Sequence, residues 1–158
     1  MRKAKETILG ISIGTQSIGF AVLRNGEIVD WWIKYFKRRW SDHKLQTIVW
    51  YVSTIVNSLK PTCICIKTST PPLGTNVASV MERIISVAKL QGLEIKTYTI
   101  KELKQLHCKR RCTKKDLDVV VIALFANANG KSYTSLLKGK ILDSIMAIQT
   151  HISVTIDT

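Results

Sequence analysis

Apolar and polar positions divide this chain into strands first and helices later. Residues 7–13 and 18–24 are apolar runs separated by the turn Gly14-Thr15-Gln16, and each predicts a strand. Asn25-Gly26 then lies between Val22-Leu23 and Ile28-Val29. Both turn residues tolerate the positive φ that a type I′ turn requires, so the spacing predicts a tight hairpin into a third strand ending near Tyr35. The segment 37–43 is polar and basic. After it, Leu45, Ile48, Val49, Val52, Ile55, Val56 and Leu59 recur at helical spacing and predict an amphipathic helix ending before Pro61.

Cys63 to Lys67 reads as a short buried strand. Residues 68–76, with Pro71-Pro72 and Gly74, read as a loop. Val77, Val80, Ile84, Val87 and Ala88 define a second helix, and Glu94 to Tyr98 a fifth strand. Thr99 followed by Glu102 has the pattern of a capping box opening a short helix to about Leu106. The basic stretch 107–112 follows as a loop. Thr113 then caps a helix carrying Leu117, Val120, Val121 and Leu124 on one face, and residues 127–133 break it with Asn, Gly and Ser. A last helix from about Ser135 to Thr150 buries Leu137, Ile141, Ile145 and Ile148. The order predicts an α/β fold with a five-stranded mixed sheet: three antiparallel strands, two more added by helical crossovers, and flanking helices.

At 158 residues the chain has the size of one compact domain, and we treat residues 1–158 as one. An apolar fraction of 46% with only three prolines argues against disorder. No apolar run approaches the ~18 residues of a membrane span. The basic start MRKAKETILG leads into a stretch interrupted by Ser12, Gly14, Thr15 and Gln16, with no small-residue cleavage pattern, so a cytoplasmic protein is expected.

Charge narrows the class of partner. Lys and Arg outnumber Asp and Glu by 24 to 11, a net +13, the footprint of a protein that meets phosphate backbones. The excess is clustered: Lys37, Arg38 and Arg39 stand beside Trp40, and Lys109, Arg110, Arg111, Lys114 and Lys115 form a second group. Trp31, Trp32, Trp40 and Trp50 are the candidates for a stacking or wedge residue; most tryptophans in such a domain pack, and only Trp40 has a basic, polar neighbourhood. Cys63 and Cys65, two apart on a strand, point to one buried face and read as free thiols. Cys108 and Cys112, beside His107, lack the C-x-x-C spacing of zinc sites, and no metal is assigned to either pair.

The phrase Gly10-Ile11-Ser12-Ile13-Gly14-Thr15 resembles the first strand and turn of the RuvC-type Holliday junction resolvases of the RNase H-like superfamily, whose pattern is Gly-Ile-Asp-Pro-Gly-Thr. Further likenesses follow in order. Pro61 precedes the strand Cys63 to Lys67, where the family has a proline before a strand ending in a catalytic glutamate. Tyr98 to Lys104 looks like the family's Tyr-x-Pro-x-x-Val-Lys, and Thr113-Lys114-Lys115 like its Ala-x-Lys segment. The first turn also reads like the phosphate turn of actin-like ATPases, but these enclose a nucleotide between two such domains.

The resemblance implies four carboxylates holding two divalent cations, one activating water and one stabilising the leaving oxygen. Carried over by position, the four are Ser12, Lys67, Lys140 and Asp143, of which only Asp143 is a carboxylate. Four negative charges become a formal +1, which removes three of the four anionic oxygen ligands that two Mg²⁺ ions require. Asp116 and Asp118 are an alternative acidic pair, but their spacing places them about 200° apart on a helix, where they do not readily share a metal, Asp116 suits the helix start, and the pair restores neither Ser12 nor Lys67. His107 and His151 read as surface or packing residues.

The expected function is binding of branched or junction DNA without two-metal cleavage. The contacts expected are Lys37, Arg38, Arg39, Trp40, Lys67, Lys104, Lys109, Arg110, Arg111, Lys114, Lys115 and Lys140. No cofactor is expected; Mg²⁺ enters only under the alternative of an active endonuclease with rearranged ligands. A further alternative is an interaction module partnering an active resolvase. Apolar positions 77, 80, 81, 84, 85 and 88 give the second helix a face wide enough for both a core and a homodimer contact.

Overall fold

The computed structural model describes residues 6–68, 74–99, 101–102, 144–145 and 147–148. Five strands and two helices follow in the order β1 (Thr7–Ser12), β2 (Ser17–Arg24), β3 (Glu27–Tyr35), α1 (Asp42–Leu59), β4 (Cys63–Thr68), α2 (Thr75–Leu90) and β5 (Glu94–Thr99). They build one mixed sheet in the order β3-β2-β1-β4-β5. β1 and β3 run antiparallel to β2, while β4 and β5 add parallel to β1 through the crossover helices. Among the described helices none is long and apolar enough to cross a membrane.

Local chemistry accounts for the boundaries. Asn25 and Gly26 take φ of 53° and 83°, as the hairpin requires. α1 begins at Asp42, earlier than its first apolar residue suggests, because Ser41 caps it: the Lys44 backbone N–H donates to Ser41 Oγ at 3.1 Å. The same turn buries Lys44, whose Nζ donates to the Arg38 carbonyl at 2.6 Å and ties the preceding segment to the helix. The capping box forms in both directions: Thr99 N–H donates to Glu102 Oε2 at 3.1 Å and Glu102 N–H to Thr99 Oγ1 at 3.2 Å. The helices expected within 113–124 and 135–150 lie outside the described residues, except that residues 144–145 and 147–148 are helical.

Every residue of β1 is buried, so both faces of the central sheet are covered. On one face Leu9, Ile11, Ile18, Phe20, Val22, Ile64 and Ile66 meet Ile48, Val52 and Val56 of α1 and Val80, Ile84 and Ala88 of α2. By strand alternation the other face carries Ile8, Gly10, Ser12, Cys63 and Cys65. There the chain returns as Ser144, Ile145, Ala147 and Ile148, all fully buried. Gly10 makes this possible: a Cβ at this position would collide with the Ser144 carbonyl oxygen and lie 2.8 and 2.9 Å from Ile148 Cγ1 and Cδ1.

Candidate functional site

Two parallel strand pairings set one rung of residues at the centre of the sheet. Ser12 at the end of β1 is the register partner of Lys67 in β4, and Lys67 is the partner of Tyr98 in β5. Register partners in a parallel ladder project from the same face, so a hydroxyl, an ammonium and a phenol share it. Ser12 is 2% exposed, Tyr98 is buried and Lys67 half-buried. Gly10 and Cys65 occupy the preceding positions of this face, and Ser144 lies against Gly10.

The thiols of Cys63 and Cys65 lie 3.9 Å apart and are buried, as expected from their alternation. Their contact lowers the pKa of Cys63 and raises that of Cys65, and burial pushes Cys65 further up. Burial is the main cause that pushes Tyr98 from 10.0 up to about 12. A phenol that titrates at 10.0 when unfolded and about 12 when folded holds its proton more tightly in the native state. Its contribution to stability is therefore complete below pH 10.0 and is lost as pH rises through about 12. Urea midpoints measured across this window are expected to fall more steeply for the native chain than for Tyr98→Phe; parallel curves would remove Tyr98 as the cause.

Neither Ser12 nor Lys67 supplies an anionic oxygen, and an ammonium repels a cation. The residues at these strand ends do not fit a two-magnesium centre. Among the described residues no three His, Cys, Asp or Glu side chains come together as a ligand set. Lys140 and Asp143 lie outside the described residues, as do Lys104, Lys109, Arg110, Arg111, Lys114 and Lys115.

The first basic cluster lies elsewhere, at the sheet edge formed by β3. Lys37, Arg38 and Arg39 are exposed where the chain passes from β3 to α1. Lys34, Tyr35, Lys37, Arg38, His43 and Trp50 line a cleft of about 440 Å³, together with the more buried Phe36 and Tyr51. Trp40 is half-buried and packs against the core, whereas Trp50 is 67% exposed. The reason is helical geometry: Trp50 lies about 200° around α1 from both Ile48 and Val52, which face the sheet. Its place off the apolar stripe was the available signal. Lys34, absent from the expected contacts, stands with Nζ 5.3 Å from the Tyr51 ring centroid.

No family model matches this chain, and no curated protein is significantly similar to it. Solved structures are similar over nearly its whole length. A RuvC from Thermus thermophilus in complex with a Holliday junction substrate has a TM-score of 0.77 at 12% identity, over 96% of each chain. A second T. thermophilus RuvC structure gives the same values. The yeast mitochondrial Holliday junction resolvase Ydc2 has a TM-score of 0.61 at 10% identity, over 94% of this chain and 83% of its own. With the antiparallel ribbon, the two crossover strands and the turn Gly10 to Thr15 in place, the chain has the RuvC-like form of the RNase H fold.

Proposed function

We propose that this protein binds branched or junction DNA through its phosphates and does not cut it by two-metal chemistry. The observation that carries this reading is the in-register placement of Ser12 beside Lys67 at the centre of a RuvC-like sheet. A carboxylate pair at such strand ends attracts divalent cations and so makes a hydroxide nucleophile available. The half-buried Lys67 ammonium attracts a phosphate rather than a cation, and neither it nor the buried Ser12 hydroxyl is a base that activates water. Lys140, assigned to the same site by sequence, adds a second cation in this reading, and Asp143 alone cannot replace the missing ligands. The net charge of +13 supplies long-range attraction, and the T. thermophilus neighbour was solved on a Holliday junction.

The experiment is titration of a labelled four-way junction with pure protein, in parallel with incubation in Mg²⁺ or Mn²⁺. Binding should weaken about 100-fold between 50 and 200 mM salt if about four phosphates are contacted, with no cleavage. Metal-dependent cleavage would overturn the non-cutting half of the reading, and its loss in Asp143→Asn would then assign the ligand. Lys67→Ala is expected to reduce the salt slope by about 0.9, the release of one condensed counterion. An unchanged slope places Lys67 outside the interface.

A homodimer through α2 belongs to the same reading. Val80, Ile84 and Ala88 are buried against the core, while Val77, Met81 and Ile85 form a half-buried row four residues apart. Light scattering on the junction-binding sample measures the stoichiometry directly.

A further inference from the structure

The cleft between β3 and α1 lies two strands away from Ser12, and α1 packs on the opposite face of the sheet from Ser12. It combines three features. The first is an indole 67% exposed on a helix otherwise well packed against the sheet. The second is charge: Lys34, Lys37 and Arg38 line the cleft, and no Asp or Glu does among the described residues. The third is rigidity. Lys44 Nζ holds the Arg38 carbonyl at 2.6 Å, Phe36 N–H donates to the Gln16 carbonyl at 2.8 Å, and Trp32 Nε1 donates to the Tyr51 hydroxyl at 3.0 Å. The walls therefore stand in place before any ligand arrives, which lowers the ordering cost of binding.

We infer that this cleft binds an unpaired nucleotide of a single-stranded nucleic acid segment, with the base stacked on Trp50 and flanking phosphates held by Lys34, Lys37 and Arg38. A volume of about 440 Å³ suits a ligand of that size. An exposed indole offers a flat π-face that any base can use, and the cations beside it track the backbone. A paired base hides both its faces in the duplex stack, so the indole selects unpaired nucleotides. Binding there is independent of a phosphate contact at Lys67, because the cleft lies at the β3 edge whereas Ser12 and Lys67 stand at the centre of the sheet.

The test uses the full chain with fluorescein-labelled oligothymidylate and oligouridylate of about 12 nucleotides, and a fully paired four-way junction as a separate ligand. Binding of either oligonucleotide should quench tryptophan fluorescence; the tighter of the two assigns the sugar. Trp50→Ala is expected to weaken oligonucleotide binding about tenfold while melting like the native chain, and Trp50→Phe to retain most of the affinity. Native-like oligonucleotide affinity in Trp50→Ala would overturn the inference, as would equal competition by polyglutamate, which marks an acidic-peptide site. Loss of junction binding with oligonucleotide binding intact supports the cleft and defeats only the junction reading. Junction binding without oligonucleotide binding does the reverse.

Discussion

Gly10→Ala is expected to cost about 3 kcal/mol, the upper part of the range for overpacking a core, although it adds a single methyl group. Gly10 sits in the central strand with the returning segment lying directly on it. The new Cβ would collide with the Ser144 carbonyl oxygen and stand 2.8 and 2.9 Å from two carbons of Ile148. An isoleucine side chain can change rotamer, but a backbone oxygen moves only if its helix moves. The displaced helix would lose the burial of Ser144, Ile145, Ala147 and Ile148 and shift away from the face that carries Ser12. Urea denaturation measures the loss. Trimming Ile148 to alanine in the same chain should not recover it, because the backbone collision remains. Gly74→Ala is the control: nothing lies within 4 Å of its Cβ position, and its φ of −57° suits any residue. Native-like stability of Gly10→Ala would mean that the helix is not seated on β1 as described.

Phe20→Ala is expected to cost about 3–5 kcal/mol, a large share of the ~5–15 kcal/mol that holds a domain of this size folded. Phe20 is fully buried in β2 and packs from the sheet into an aromatic group. Its ring stacks on Trp32 with centroids 4.9 Å apart and 14° between planes, and lies 5.8 Å from Tyr51. Tyr51 also meets Phe36 edge-on at 6.0 Å. Removing Phe20 leaves a cavity under two rings that α1 and β3 hold in place, and the surrounding rings can close it only partly. The denaturant midpoint should fall without a change in slope. A second effect follows from position. Tyr51 and Phe36 line the β3–α1 cleft, so oligonucleotide affinity should fall with stability in Phe20→Ala, whereas Trp50→Ala should lower affinity alone. A stability loss below about 1 kcal/mol would show that the aromatic group repacks.

These substitutions separate two parts of the molecule with different tasks. The centre of the sheet, with Gly10, Ser12, Lys67 and Tyr98, depends on close approach between strand and returning helix. The β3 edge depends on an aromatic layer that holds the cleft open and on a lysine, Lys44, spent on tethering rather than on a ligand. A lysine in a basic stretch looks like part of an interface, yet Lys44 is 6% exposed.

The sequence alone determined what depends on neighbouring residues. Short apolar runs bounded by turn residues marked the strands, the pair Asn25-Gly26 its hairpin, and the Thr99-Glu102 spacing its reciprocal caps, because each depends on residues close together in the chain. The order of these elements, with the turn Gly10 to Thr15, was enough for the RuvC-like fold. Position within that pattern also singled out Ser12 and Lys67, 55 residues apart in the chain. The tertiary structure decided that the two are register partners, that Gly10 excludes a side chain because Ser144 lies on it, and that Trp50 faces solvent while Trp40 packs inward. Periodicity states which residues share a face of an element. Which face is covered, and by what, depends on segments distant in sequence, and only their packing settles it.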